Sequence, residues 1–300
     1  MKILVSGSHG LVGKALTHSL TDDGHEVVKL VRRERNFGSP EVEWYPDQGR
    51  IDAAHLEGIE AVIHLAGDNI AGGRWTTEKK RIIRESRVQG TALLSETLAS
   101  LSRPPSVFIS ASAIGFYGNR GEELLTEQSP PGKDFLAKVC IDWEAATTAA
   151  AEKGIRTAHA RFGVILDAHG GALAKMLPPF RVGIGGKIGA GNQWMSWIAL
   201  ADVIGALKFL LEDRTIQGPV NFVAPNPVTN AEFTKTLARV LSRPSIFPMP
   251  AFAARLAFGE MADALLLASQ KVDPAVLVDN GFLFTWPTLE SALKHILNPS

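Results

Sequence analysis

The chain contains one cysteine among its 300 residues, so it can form neither an internal disulfide nor a cysteine-rich metal site. A lone thiol such as Cys140 is typical of proteins from reducing compartments. The eight histidines show no spacing typical of metal ligands, and we expect no metal. The N-terminal apolar stretch is too short for a signal peptide, and we therefore expect a cytoplasmic protein.

Long apolar runs and an excess of one charge are also missing. Residues 251–268 are strongly apolar, but three charged side chains interrupt them, which predicts a buried or interface helix and no membrane span. The 31 basic residues balance the 31 acidic ones, so no global field attracts nucleic acid or an anionic membrane. We expect a small-molecule substrate, no nucleic-acid or membrane partner, and a monomer or homodimer.

Glycine, in contrast, stands at regular intervals near the N-terminus. Residues 2–6 are an apolar run typical of a buried strand, and a helical pattern of apolar residues starts at Leu11. Between them lie Gly7, Gly10 and Gly13, spaced G-x-x-G-x-x-G and not G-x-G-x-x-G. Such a turn lets a pyrophosphate approach the backbone and the free N–H groups of the helix. The alternative is an ordinary tight turn, and the order strand, turn, helix favours the cofactor.

The second strand predicts which nicotinamide cofactor binds. Residues 26–31 form an apolar run that ends in Arg32 and Arg33, where an Asp or Glu would bind a ribose 2′-hydroxyl. Guanidinium groups pair bidentately with phosphate, so the two arginines favour the 2′-phosphate of NADP. Glu34 comes slightly late for the acidic role. The alternative for the arginines is a solvated strand end.

The order of apolar patterns predicts the fold class. Strands and helices alternate from the N-terminus to about residue 170, which is typical of parallel βαβ units. We predict an α/β protein: a Rossmann-like, doubly wound parallel sheet with a smaller mixed, mostly helical C-terminal lobe. Residues 1–170 would form the NADP-binding domain, to which a strand at residues 220–224 can return, and residues 171–300 the smaller lobe.

Individual elements are predicted within this frame. A capping box at Thr229 and Glu232 opens a helix that runs to about Leu241. The predicted strands are 41–44, 61–67, 107–112 and 157–166, and the predicted long helices are 76–101 and 134–153. Ligands bind outside the carboxyl ends of parallel strands, which include Gly67 and Ser110–Ser112 in this chain.

Several motifs together resemble a known family. They are the segments 7–13, 64–70, 74–75, 86–87, 112–118, 142–144, 161–166, 197–202, 221–225 and 229–233. In this order they resemble the extended short-chain dehydrogenase/reductase superfamily, and more narrowly its atypical epimerase-like, NADP-binding subfamily with its own C-terminal extension. The resemblance covers nearly the whole chain.

The resemblance also implies a cofactor site. The glycine turn would hold the pyrophosphate, Arg32 the 2′-phosphate, and Ile165 would lie near the nicotinamide. Arg87 could pair with a cofactor phosphate or polarise an oxyanion. The complete set of predicted cofactor-binding residues is Gly7, Gly10, Leu11, Val12, Gly13, Arg32, Arg33, Leu65, Ala66, Gly67, Ile82, Arg87, Ser110 and Ile165.

Catalytic residues carry over less well. The superfamily uses a Tyr-x-x-x-Lys pair, and this chain has none; Leu136 and Cys140 stand at those positions. Ser112, at a strand end, and Tyr117 are the remaining candidates for binding and protonating a substrate oxygen. The alternatives are a strand-end cap for Ser112 and a packed loop aromatic for Tyr117.

Two functions follow from these residues. The first is an NADP-dependent oxidoreductase or epimerase that acts on a small carbonyl or sugar-like substrate. The second is a non-catalytic NADP(H)-binding sensor or interaction protein, which the missing Tyr/Lys pair favours.

Overall fold

Strands that lack polar alternation form the centre of the molecule. Residues 3–5 and 61–63 are fully buried, as expected for parallel strands that helices cover on both faces. The computed structural model describes residues 1–34 and 38–297. The last three residues of the predicted C-terminal lobe, 298–300, therefore lie outside the described part of the chain.

The described residues form fourteen strands. They are β1 (Lys2–Ser6), β2 (Glu26–Val31), β3 (Glu41–Tyr45), β4 (Arg50–Ile51), β5 (Ala61–His64), β6 (Val107–Ala113), β7 (Leu124–Leu125), β8 (Arg156–Phe162), β9 (Val164–Leu166), β10 (Trp194–Met195), β11 (Trp197–Ala199), β12 (Gly218–Phe222), β13 (Val228–Thr229) and β14 (Lys271–Val272).

The described residues also form ten α-helices. They are α1 (Leu11–Asp22), α2 (Thr77–Ser100), α3 (Phe135–Ala145), α4 (Thr148–Glu152), α5 (Gly171–Arg181), α6 (Leu200–Glu212), α7 (Asn230–Val240), α8 (Ala251–Phe258), α9 (Ala275–Asp279) and α10 (Leu289–Leu297). Short 3-10 turns include Ile114–Tyr117 after β6, and Ala262–Leu266 is one π-helical turn.

Eight strands form one sheet in the order β12-β8-β6-β5-β1-β2-β3-β4. All neighbours pair in parallel except β3 and β4. The chain builds outward from β1 through β2 and β3, and then continues on the other side with β5. The order therefore reverses between β1 and β5, which is the switch point where doubly wound sheets bind ligands. The predicted fold class is confirmed.

Helices cover both faces of this sheet. On one face, α1 and α6 bury Leu16, Leu20 and Leu207 against β1, β5 and β6. On the other face, α2 buries Leu94 and Leu98 against the same strands. The helix predicted at 76–101 is found at Thr77–Ser100, capped by the Thr76 side chain. Since each layer is apolar, the sheet is a rigid support for the residues at its carboxyl edge.

The chain crosses the predicted boundary at residue 170 more than once. Helix α6 packs under the large sheet, and β12 pairs with β8 at its edge. A separate apolar cluster holds α5, α7 and α10 together around Trp197 and Phe233. The capping box predicted at Thr229 and Glu232 is present at the start of α7.

Three predicted elements are wrong in extent. The strand predicted at 61–67 ends at His64. The helix predicted at 134–153 is broken between α3 and α4, where the Thr147 hydroxyl contacts both the Glu144 carbonyl and Nε2 of His159, each at 2.8 Å. The strand predicted at 157–166 is interrupted at Gly163, where the backbone changes partner from Phe222 to Ser196. A Cβ atom at Gly163 would lie 2.6 Å from the Ser196 carbonyl oxygen, so the crossing requires glycine.

Candidate functional site

The first glycine of the turn lies directly against the end of β5. Gly7 has a φ of +65°, which side chains disfavour, and a Cβ atom there would lie 2.8 Å from the carbonyl carbon of Leu65. The turn can therefore pass the neighbouring strand only as glycine. This contact brings the predicted pyrophosphate turn next to Leu65 and Ala66, which are also predicted to bind the cofactor.

The other two glycines join the turn to helix α1. A Cβ atom at Gly13 would lie 2.2 Å from the Gly7 carbonyl oxygen, and one at Gly10 would lie 3.3 Å from it. No side chain caps the N-terminus of α1. Its first N–H groups and its positive dipole end face the switch point without a competing side chain, which is the arrangement that binds a phosphate.

Leu11 and Val12, which follow Gly10, contact the region around Ile165 on the other side of the switch point. The Leu11 side chain would touch a Cβ atom at Gly170 or Gly171, and Gly171 also lies beside the Ile165 carbonyl oxygen. Val12 packs on the sheet core together with Ile165. The residue predicted to lie near the nicotinamide therefore adjoins the start of α1.

The two arginines after β2 have different environments. Arg33 donates to both carboxylate oxygens of Glu41 (3.1 and 2.7 Å) and to the Glu34 carbonyl (2.9 Å). Arg32 is exposed, and its guanidinium has no hydrogen-bond or ion-pair partner among residues 1–34 and 38–297. Arg32 is thus the guanidinium that is free to bind a 2′-phosphate, whereas Arg33 supports the strand end.

A buried serine–histidine pair fixes the end of β5. The Ser6 hydroxyl accepts from the N–H groups of Leu65 (3.0 Å) and Ala66 (3.2 Å). It therefore donates to Nδ1 of His64, 2.7 Å away. Burial lowers the pKa of His64 to about 4, so the ring is neutral near neutral pH. Its edge faces the Trp44 ring, with centroids 5.7 Å apart.

Arg87 organises the loop after β5 from helix α2. Its guanidinium donates to the carbonyls of Asp68 and Ile83, both at 3.0 Å, and lies 5.0 Å over the Trp143 ring. A Cβ atom at Gly67 would lie 3.3 Å from this guanidinium. Burial lowers the pKa of Arg87, but the group stays a cation beside the predicted cofactor loop. Ile82, on the same helix, is partly exposed.

Apolar groups occupy the positions of the missing Tyr/Lys pair. Cys140 is buried, accepts a hydrogen bond from the Ala113 backbone, and has its pKa raised by burial to about 12. It is therefore a protonated thiol and no nucleophile. Leu136 packs against Gly115 at the end of β6. Neither residue can move a proton near neutral pH.

Ser112 contacts a buried ion pair. Its hydroxyl donates to Glu144 Oε1 (2.6 Å), and Arg161 binds both carboxylate oxygens of Glu144 at 2.8 Å. Ser110, two residues earlier, is buried, and its hydroxyl makes a long contact to the Ala111 carbonyl (3.4 Å). Both serines lie on the same face of β6 as Phe108, which packs in one cluster with Leu94 and Leu98 of α2.

Tyr117 belongs to the same polar network. Its side chain is 0% exposed. Its hydroxyl donates to Asn221 Oδ1 (2.7 Å) and accepts from Arg161 (3.0 Å), and burial raises its pKa. Arg161 also stacks on Phe116, 3.5 Å from the ring centre. Tyr117 therefore joins the 3-10 turn after β6 to strands β8 and β12.

The network follows one row across three strands. Ser112 of β6 pairs with Arg161 of β8, and Arg161 pairs with Asn221 of β12. Sequence reasoning missed Glu144, Arg161 and Asn221 as a group. A usable signal was present: Arg161 stands between Ala160 and Phe162 near the end of a predicted parallel strand, and a buried charge requires a buried partner. His64 at the end of β5 gave a similar signal.

A second buried carboxyl, that of Glu127, lies beside this network. Glu127 Oε1 accepts from the backbone N–H groups of Asn221 (2.9 Å) and Val276 (3.3 Å). Burial raises its pKa, and within the described residues Oε2 has no partner. The carboxyl thus links β12 to the C-terminal segment.

A cavity of about 600 Å³ lies away from the switch point. Its walls include Thr147, Thr157, His159 and Gln217, between α4 and the strands β8 and β12. Thr157 and His159 are the second and fourth of the seven residues of β8, whereas ligands of parallel sheets bind at the carboxyl ends. The cavity is therefore not part of the predicted cofactor crevice.

The doubly wound sheet and the glycine turn at its switch point define a protein of the Rossmann class. The chain belongs to the NAD dependent epimerase/dehydratase family, whose pattern matches residues 3–223. Residues 249–296 match a separate domain of unknown function, DUF1731. The predicted family and its C-terminal extension are confirmed.

Relatives match over the full chain. Epimerase family protein Mb2239 of Mycobacterium bovis is 42% identical over 98% of this chain and 96% of its own. Epimerase family protein YfhF of Bacillus subtilis is 38% identical over 99% and 98%. The crystal structure of human epimerase family protein SDR39U1 with NADPH is 34% identical, covers 100% of both chains and has a TM-score of 0.92.

The buried His64 predicts a pH-dependent stability. Because its pKa is about 4 when folded and near 6.5 when unfolded, the unfolded chain binds more protons between these values. The neutral His64 ring makes its full contribution to stability above the unfolded pKa, and this contribution is lost as the pH falls towards 4. We expect the group to reduce the free energy of unfolding by about 2 kcal/mol near pH 5 relative to neutral pH.

Denaturant titrations of His64→Asn at both pH values check this, because asparagine can still accept from Ser6 without titrating in this range. His18→Asn is the matched control, since His18 is a largely exposed histidine. An unchanged pH slope in His64→Asn would contradict the assignment.

Removal of the Tyr117 hydroxyl should lower the stability of the fold. Tyr117→Phe leaves Asn221 Oδ1 without its hydroxyl donor and takes one acceptor from Arg161, which keeps Glu144. We expect the free energy of unfolding to fall by about 1–3 kcal/mol, measured by denaturant unfolding. Tyr45→Phe, which changes the other tyrosine at a partly exposed site, should change it far less. A loss of unfolding free energy in Tyr117→Phe no larger than that in Tyr45→Phe would contradict a stabilising role of the Tyr117 hydrogen bonds.

Proposed function

We propose that the protein binds NADP(H) and exchanges hydride between it and a small carbonyl or sugar-like substrate. The observation that carries the proposal is the glycine turn against β5, with the free Arg32 beside it. A Cβ atom on Gly7 or Gly13 would strike backbone, whereas His9 and Gly10 are exposed, so the outer side of the turn is open to a ligand. The residues of the turn therefore fit a dinucleotide.

The chain's own groups have separate tasks in this proposal. The N–H groups at the start of α1 would hold the pyrophosphate, and Arg32 would hold the 2′-phosphate. Leu65, Ala66 and Gly67 would form the wall beside the adenosine. Bound NADP(H) would supply the hydride chemistry, and the protein would orient it.

The relatives support this choice of cofactor. The human relative SDR39U1 is described with NADPH, and its similarity to this chain extends from end to end. The pattern matched by residues 3–223 is that of an NAD dependent epimerase/dehydratase family. The free Arg32 favours the phosphorylated form of the cofactor for this chain.

The proton that accompanies hydride needs a donor other than the usual pair. The catalytic assignment of Ser112 and Tyr117 stays a prediction. In the structure their hydroxyls donate to Glu144 and Asn221, so a substrate oxygen would have to compete with these partners. A substrate whose oxygen exchanges its proton with water would need neither residue.

The alternative function is a non-catalytic NADP(H) sensor. Leu136 and Cys140 favour it, because both are unable to transfer a proton and both pack beside the end of β6. A sensor would bind NADP(H) but exchange no hydride with any carbonyl compound.

The cofactor proposal predicts a defined effect of Arg32→Ser. We expect the affinity for NADPH to fall by about tenfold or more, while the affinity for NADH stays the same, because only NADPH carries the 2′-phosphate. Isothermal titration calorimetry with both cofactors measures the two affinities.

Arg33→Ser is the matched control, since this neighbouring arginine is paired with Glu41. Its NADPH affinity should stay closer to that of the parent protein. Equal losses in the two variants would overturn the role of Arg32, and a parent protein that binds neither cofactor would overturn the proposed function.

Turnover distinguishes the enzyme from the sensor. NADPH absorbance is followed with a panel of small aldehydes, ketones and nucleotide sugars. An enzyme should oxidise NADPH with at least one of them, and Ser112→Ala should lower kcat if that hydroxyl binds the reacting oxygen. Unchanged kcat in Ser112→Ala and Tyr117→Phe would remove both from the mechanism. No oxidation across the panel would favour the sensor.

A further inference from the structure

An exposed apolar surface lies on the C-terminal part of the chain. We call it the apolar rim, and its side chains are 55% to 75% exposed. The members are Val182, Ile184, Ile246, Phe247, Phe252 and Leu256. A soluble protein seldom leaves so many large apolar side chains together in water without a use for them.

The two segments of the apolar rim lie side by side. Met249 donates its N–H to the Lys187 carbonyl, and Gly189 donates to the Met249 carbonyl, both at 2.9 Å. A Cβ atom at Gly186 would lie 2.0 Å from the Phe247 carbonyl oxygen. Helix α8 follows directly, and Phe252 and Leu256 are four residues apart on one of its faces. The apolar rim is therefore one continuous surface.

Both segments of the apolar rim lie in stretches of the chain that contain no acidic residue. The chain has no acidic residue between Asp167 and Asp202, and none between Glu232 and Glu260. Arg181, Lys187 and Arg243 are exposed in these two segments. Arg255 is paired with Asp263 and adds little to the field. The overall neutrality of the chain thus conceals a local patch that is apolar and basic.

The exposed apolar side chains and the nearby cations together indicate what binds the apolar rim. A second copy of the chain would bring its own Arg181, Lys187 and Arg243 close to the same residues, so like charges would repel. Side chains this exposed project outwards, which suits insertion between headgroups. Anionic lipid offers both acyl chains for the apolar side chains and phosphates for the cations.

We propose that the apolar rim docks the protein reversibly on an anionic bilayer surface. Phe252 and Leu256 of α8, together with Ile246 and Phe247, enter the boundary between headgroups and acyl chains, and the cations contact lipid phosphates. The attachment is peripheral, since none of the helices in residues 1–34 and 38–297 is long and apolar enough to cross a membrane. It does not depend on the proposed cofactor.

Vesicle sedimentation with the full chain tests the proposal. The protein is mixed with vesicles of phosphatidylglycerol and phosphatidylcholine, and in parallel with vesicles of phosphatidylcholine alone. We expect binding to the anionic vesicles to exceed binding to the neutral ones about tenfold at low salt, and to weaken as salt is added. The double variant Phe252→Ser/Leu256→Ser should lose about tenfold or more of this binding.

Leu283→Ser is the matched control, because Leu283 is 87% exposed on a segment that packs against α6. It should bind the anionic vesicles as the parent does. Thermal unfolding shows whether each variant is folded, and Arg181→Ser/Arg243→Ser gives a second test, since it should lose the salt-sensitive part of binding only.

Several results would overturn the proposal. They are no binding to anionic vesicles at low salt, equal binding by Leu283→Ser and the double variant, and a parent dimer that Phe252→Ser/Leu256→Ser dissociates in sedimentation velocity. The last result would show that a second copy covers the apolar rim.

Discussion

The contact between two backbones at the switch point is the constraint on which the structure depends. Gly7 lies against the carbonyl group of Leu65, and Gly13 lies against the carbonyl of Gly7, at distances that leave no room for a Cβ atom. The contact holds β1, α1 and β5 at fixed spacing. It also leaves the helix N-terminus open on its outer side. The Ser6 hydroxyl stabilises the same region through hydrogen bonds to the His64 ring and the Leu65 N–H group.

A second constraint is the cation of Arg161 inside the sheet. A buried guanidinium is costly unless its donors are satisfied, and Glu144 and Tyr117 satisfy them. The consequence extends beyond β8, because Ser112 and Asn221 join the same row. The hydroxyls of Ser112 and Tyr117, the two candidates for catalysis, thus also join three strands. The fold of the family is retained where its proton-transfer pair is absent, which is why fold alone does not define the reaction.

Much of the fold was predictable where one local pattern decides the outcome. The first strand, glycine turn and helix lie where the apolar spacing placed them, and the capping box at Thr229 starts α7 as expected. The errors fall where a distant contact overrides the local pattern. Between α3 and α4 the Thr147 hydroxyl contacts Nε2 of His159 on β8 (2.8 Å), and after Gly163 the backbone partner changes from Phe222 to Ser196. Apolar periodicity carries no information about such partners.

By itself the sequence determined the order of the elements, the glycine turn and the family, because each depends on residues close together in the chain. Tertiary structure alone decided which of Arg32 and Arg33 is free, since the partner of Arg33 comes from the next strand. It also decided that the hydroxyls of Ser112 and Tyr117 face into the protein. The apolar rim was equally hidden, because it forms only when two segments some sixty residues apart lie side by side. Pairing between distant residues is set by packing, and local pattern does not encode it.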